Sequence, residues 1–93
     1  MIRSFKTQAA KAIFRGEIVR SMDARIQQRA REKLKLLDSA GDLRDLMIPP
    51  ANRLEALKGD RKGQFSIRIN QRWRICFKWH NGEASDFELP DYH

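Results

Sequence analysis

Arg68 and Arg74 are the residues of this 93-residue chain from which a chemistry can first be argued. Phe65, Ile67 and Ile69 alternate with Ser66 and Arg68, and Trp73, Ile75, Phe77 and Trp79 alternate with Arg74, Cys76 and Lys78. A period of two marks strands with one face on a core and one in water. A one-residue slip would turn every side chain over, so matching the faces sets the register. A loop of Asn70-Gln71-Arg72 pairs Ile69 with Trp73, Ile67 with Ile75 and Phe65 with Phe77, and places Arg68 opposite Arg74 on the open face. Two opposed guanidinium groups repel unless an anion lies between them. Arginine is suited to that anion, since it clamps a phosphate with two donors.

The next turn falls at Asn81-Gly82, a strong hairpin signal. A strict two-residue loop mixes the faces. A three-residue loop, Asn81–Glu83, pairs Phe77 with Phe87 and Ile75 with Leu89, and sets Lys78 against Asp86 and Cys76 against Glu88. Extending this strand carries Tyr92, with His93 after it, to the face of Arg68 and Arg74. Lys58, Arg61 and Lys62 lie in the basic loop that leads into the sheet. The set suits phosphodiester chemistry: cations for the phosphate, and Tyr and His to move protons or stack on a base. The same residues also fit an ordinary solvated sheet face whose arginines pair with Glu88 or Asp91. The register leaves both readings open.

The elements that must position these residues follow from simpler signals. Ile2–Phe5 reads as a short opening strand, and Gln8–Phe14 as a helix that Gly16 can end. Ser21 is a suitable N-cap for a second helix, with Asp23 placing negative charge in its first turn. Met22, Ile26, Ala30, Leu34 and Leu37 recur at spacings of three and four and form one apolar face. Arg25, Arg29, Arg31, Lys33 and Lys35 cover much of the remainder. Gly41 closes this helix, Asp42–Leu46 makes one more short turn, and Pro49-Pro50 is a firm break. The order strand, two helices, then hairpin-linked strands predicts an α+β fold, with the helices packed on one face of a mainly antiparallel sheet. Residues 1–93 are expected to form a single domain.

Composition narrows the functional classes. Hydrophobic residues make up 41% of the chain, enough for a small core and too many for wholesale disorder. Cys76 is the one cysteine, so no internal disulfide is expected, and the two histidines, His80 and His93, form no zinc-site spacing. No apolar run approaches membrane-span length, and the first ten residues lack a signal-peptide block, so a soluble protein of a reduced compartment is expected. Nineteen basic and twelve acidic residues leave a net charge of +7, unevenly spread. Residues 1–37 alone carry ten basic and three acidic groups. Such a domain suits a polyanionic partner, or an acidic protein that wraps the basic helices. Trp73 and Trp79 fall on the apolar face and read as core, and Cys76 as a small sheet residue rather than a nucleophile.

Asn-Arg-Leu-Glu-Ala-Leu-Lys-Gly-Asp at 52–60, Gly-Gln-Phe-Ser-Ile-Arg-Ile-Asn at 63–70, Trp-Arg-Ile-Cys-Phe at 73–77 and the closing Asp91-Tyr92-His93 stand in order along the chain. Together they resemble the HigB-type plasmid maintenance killer family of the RelE/ParE toxin superfamily. The resemblance implies a RelE-like fold and a bacterial type II toxin of the cytoplasm. Such a toxin enters the ribosomal A site and cuts mRNA there, halting translation, with no metal and no cofactor. It further implies neutralisation by a HigA-like antitoxin with a helix-turn-helix domain, through which the pair reaches operator DNA; no membrane is involved. Carried over residue by residue, Arg74 resembles the arginine at the scissile phosphate, Asp91, Tyr92 and His93 the terminal catalytic trio, and Lys58 a basic residue of the same cleft. Glu55 departs from the pattern, since some members use a histidine there. A glutamate at that position is either a base or inert.

The implied chemistry is attack of an RNA 2′-OH on the adjacent phosphate. His93 has an ordinary pKa of about 6.5 and suits proton transfer near neutrality. Arg74, Arg68 and Lys58 would stabilise the developing charge. Two other readings remain at this level: a ParE-like inhibitor of DNA gyrase, which has no need of Tyr92-His93, and a non-catalytic co-repressor partner of the antitoxin.

Overall fold

The computed structural model describes residues 2–20, 22–47 and 52–89. Two helices, α1 (Gln8–Phe14) and α2 (Ala24–Ser39), precede four strands: β1 (Glu55–Ala56), β2 (Gln64–Arg68), β3 (Arg74–His80) and β4 (Glu83–Glu88). The strands form one antiparallel sheet in the order β1-β2-β3-β4. Residues 2–5 lie parallel to the outer edge of β4, bridging Ile2 to Ala84 and Phe5 to Phe87. The expected opening strand is therefore a pair of isolated bridges that cover an edge rather than a full ladder.

Local chemistry sets the helix ends. Thr7 accepts from the Ala10 N–H at the start of α1. After Phe14 the chain turns through Gly16 at φ +84°, where the Gly16 N–H donates to Ile13 and the Glu17 N–H to Ala12, a Schellman closure. Asp23, not Ser21, caps α2: its carboxylate accepts from the Arg25 N–H at 2.8 Å and the helix begins one residue later. Ser21 itself lies outside the described residues. Gln27 braces the entry, accepting from the Val19 N–H at 2.8 Å and donating to the Val19 and Met22 carbonyls. At its other end α2 stops at Ser39 with Ala40 extended (ψ 130°), so Gly41 is not the residue that closes it. The Gly41 N–H instead donates to Asp45, within the short 3-10 turn Leu43–Leu46 that Asp42 caps.

The apolar face of α2 buries Ala30, Leu34 and Leu37 against the inner face of the sheet, where Ile67, Ile75, Phe77, Ala84 and Phe87 are fully enclosed. Phe77 and Phe87 stack with centroids 5.4 Å apart, and Phe5 reaches the same cluster, 5.9 Å from Phe87. Trp73 and Trp79 pack partly buried on this core.

The β2–β3 register is the one the alternation requires: Phe65 opposes Phe77, Ile67 opposes Ile75 and Arg68 opposes Arg74. The β3–β4 hairpin differs near its turn. His80 pairs directly with Glu83, so the loop is the two-residue Asn81-Gly82, with φ +50° and +77°. Positive φ at both positions matches the twist of the flanking strands, which makes the two-residue turn the favoured one. The face conflict it creates is absorbed by a bulge between Ser85 and Glu88, where Asp86 sits at φ +54°. Beyond the bulge Cys76 opposes Glu88, as the three-residue reading also required. Asp86 is held on both sides: Lys78 Nζ stands 3.2 Å away, Ser4 Oγ donates to its carboxylate, and its N–H donates to Ser4 Oγ.

Three measurements bear on this packing. Phe77→Ala should lower the unfolding free energy by about 3–5 kcal/mol, the cost of deleting a buried ring, as read by urea denaturation. Hydrogen bonding from Lys78, then from Ser4, holds the Asp86 carboxyl below the usual carboxylate range. Its contribution is therefore fully present above about pH 4, the unfolded value, and fades as pH falls through the lower folded value. Asp86→Asn should melt earlier than the parent at neutral pH, and the gap should close in acid. Cys76, fully buried at the centre of the outer face, should resist a thiol reagent in the native protein and react promptly in denaturant.

Candidate functional site

The outer face of the sheet carries a row of polar groups from four strands. Cross-strand pairing lines up Glu55, Ser66, Cys76 and Glu88 from β1 to β4, with Arg68 and Arg74 beside them. Arg74 is the best-fixed of these groups. Its Nε donates to Ser66 Oγ at 2.9 Å, and its Nη2 donates to the Arg53 carbonyl at 2.8 Å. The Glu55 carboxylate stands 3.8 Å from the same Nη2, and the Arg74 side chain is only 18% exposed. Arg53 has φ +45°, which directs its carbonyl to the guanidinium. Nε and Nη2 are thereby engaged, while Nη1 has no hydrogen-bond partner among the described residues and its donors suit a ligand. A guanidinium held at two points is already oriented for an oxyanion, so little ordering entropy remains to be lost on binding.

The other residues singled out by sequence divide into groups. Arg68 faces Arg74 across the β2–β3 pair and is partly exposed. Glu55 is brought to Arg74 by β1. Lys58 and Lys62 flank the short 3-10 turn Gly59–Arg61 and are exposed. Arg61 is turned toward β4, where it pairs with Glu88 and donates to Gln64 at 3.3 Å; Lys6 adds a 3.6 Å contact to the same glutamate. The arginine that pairs with Glu88 is thus neither Arg68 nor Arg74. Asp91, Tyr92 and His93 lie outside the described residues.

Sequence reasoning missed the supports. Ser66 was legible only as an outward position beside Arg68; that it is buried and accepts from Arg74 depends on the register. Asn52 opens the 52–60 motif, but nothing in the sequence gave it a role. It is fully buried, pairs with Lys33 of α2 and donates to the Leu46 carbonyl at 3.1 Å, tying the segment before β1 to the helical layer. That tie lies one residue before Arg53, whose carbonyl accepts from Arg74.

Comparison with known proteins agrees with this architecture. Residues 3–93 match the family described as the RelE-like toxin of type II toxin-antitoxin system HigB. The protein named Endoribonuclease HigB from Proteus vulgaris is 34% identical over 93 residues, the whole of both chains. Toxin HigB-1 of Vibrio cholerae is 45% identical over 60 residues, 64% of this chain and 63% of the relative. Among solved structures, YafQ from E. coli has a TM-score of 0.64 at 14% identity, covering 98% of this chain and 91% of its own. The toxin-antitoxin complex YoeB–YefM from Staphylococcus aureus gives 0.63 at 18% identity, covering 100% and 98%. These last two share the fold. The two helices, the four-stranded antiparallel sheet and the full-length family match place this chain in the HigB-like family of RelE-type toxins of type II toxin-antitoxin systems.

Proposed function

We propose that this toxin is a ribosome-dependent endoribonuclease that cuts mRNA in the ribosomal A site and so stops translation in the cytoplasm. The observation that carries the reading is the doubly anchored Arg74, set with spare donors on a basic sheet face. Its full-length similarity to a protein named as an endoribonuclease supports it. Arg74 binds the scissile phosphate and, with Arg68 and Lys58, stabilises the charge that builds on it as the 2′-OH attacks. His93 moves a proton, Tyr92 orients or stacks the neighbouring base, and Asp91 completes the trio. Arg61 and Lys62 add to the cationic approach. Glu55 holds the Arg74 guanidinium in the resting protein and yields it to the phosphate. The chemistry needs no metal, and the ribosome supplies substrate positioning. A HigA-like helix-turn-helix antitoxin neutralises the toxin and carries the pair to operator DNA.

The test is 5′-end mapping of a defined mRNA incubated with the toxin, with and without programmed ribosomes. Cleavage should appear only with ribosomes and vanish in protein lacking Tyr92 and His93. Arg74→Ala should slow single-turnover cleavage by about 10²–10³-fold, the usual cost of removing one transition-state donor. No cleavage in either condition, from toxin that still binds its antitoxin, would sink the nuclease reading.

A further inference from the structure

Beside the Arg74 site lies a cleft of about 390 Å³ lined by Arg29, Arg53, Arg68, Ile69, Asn70 and Gln71. Its three arginines come from three separate segments: Arg29 from α2, Arg53 from the approach to β1 and Arg68 from the end of β2. None of the three makes an ion pair or a side-chain hydrogen bond among the described residues. Arg3, Arg44, Arg61 and Arg74, by contrast, each have an acidic partner. Three guanidinium groups around one hollow with no counter-charge among the described residues repel one another, and an anion would relieve that repulsion.

Arg53 joins this cleft to the neighbouring site. Its left-handed backbone, φ +45°, is strained for a non-glycine residue, and such strain collects at functional sites. Here the one conformation sends the carbonyl to Arg74 and the side chain to the arginine cleft. A second hollow of about 440 Å³ adjoins the first through Arg29 and Asn70 and is walled by Asp23, Arg25, Arg72 and Trp73. There the Arg72 guanidinium lies 5.6 Å from the centre of the Trp73 ring. Several arginines beside a partly buried aromatic ring are a grouping that suits a single-stranded nucleic acid.

We propose that Arg29 and Arg53, with Arg68 shared between the two sites, form a second phosphate subsite, which holds the RNA strand one step along from the phosphate at Arg74. The subsite rests on the nuclease reading for its substrate but is tested by binding alone. Because Arg68 and Arg74 are directly opposed, the two subsites lie on one strand path, and occupation of the arginine cleft sets which bond reaches Arg74.

The probe is a fluorescent 2′-O-methyl RNA hexanucleotide, which binds but offers no attacking hydroxyl. Its affinity for the full-length toxin is measured across a salt series for the parent, Arg29→Ala, Arg53→Gly and Arg74→Ala. Arg53→Gly deletes the side chain while glycine keeps the positive φ, so the carbonyl contact to Arg74 is retained. Arg29 is exposed on the outside of α2, and its truncation leaves the core intact. Arg29→Ala and Arg53→Gly should each weaken binding several-fold and reduce the slope of log affinity against log salt by about 0.7 for each phosphate no longer neutralised. Unchanged affinity and slope in both variants, with Arg74→Ala still weakened, would overturn the subsite. So would variants that bind RNA normally but lose affinity for the antitoxin, which would make the cleft a protein-binding surface. Arginine-dependent binding by a toxin that never cleaves mRNA on ribosomes would instead retire the nuclease reading and leave the subsite standing.

Discussion

The Phe77–Phe87 stack exists because β4 holds one residue more than β3 beyond the hairpin turn. The tight Asn81-Gly82 turn pairs Trp79 with Ala84, and continued strictly it would place Asp86, not Phe87, opposite Phe77. A buried carboxylate at the centre of a small core would cost several kcal/mol. The bulge at Asp86 prevents this by turning the acid outward to Lys78 and Ser4 and returning Phe87 to the interior. Three other features depend on the same step. Glu88 then opposes Cys76 on the outer face, where Arg61 and Lys6 reach it. The Asp86 N–H becomes available to bind residue 4. Phe5 finds Phe87 beneath it.

Charge is distributed with similar economy. The acids on the sheet hold particular cations in place: Glu88 ties the basic loop to β4, and Glu55 stands beside Arg74. These partly buried pairs decide which guanidinium groups are fixed and which stay available. Arg74 is fixed chiefly by neutral groups, a hydroxyl and a carbonyl, so its positive charge is not cancelled by its supports. Under the proposed function, the same face offers an oriented guanidinium for an oxyanion and further cations for the approaching strand.

Much of this was legible from residue order. Alternation in residues 65–79 fixed the β2–β3 register residue for residue, because a shift by one would have buried Arg68 or Arg74. The first helix was equally plain, since Gly16 marks its end. What the sequence concealed was of two kinds. The bulge at Asp86 was hidden because a two-residue turn and an added residue together give the same far register as a three-residue turn. Turn preference and face preference conflict on a strict ladder, and the chain satisfies both by leaving it. The supports of Arg74 were hidden because they involve a backbone carbonyl and a lone serine, neither of which stands out by type. Asn52 and Gln27 belong with them: single amides whose value comes only from carbonyls and amines that the fold brings near.

The edge contacts of residues 2–5 carry a temporal consequence. Ser4 and Asp86 are 82 positions apart, and their bonds are among those that seal the outermost ladder of the sheet. The Ile2 N–H finds its acceptor in Asp38 of α2, but the Arg3 and Lys6 N–H groups must wait for Ala84 and Phe87 of β4. Contacts of such long sequence separation form late and slowly. The helices and the hairpin can collapse earlier, but the layer that sets the Glu88 cluster closes only after β4 has been made. The outer face of the sheet is therefore the last part of the fold to be completed, because its final ladder joins the two most distant described segments.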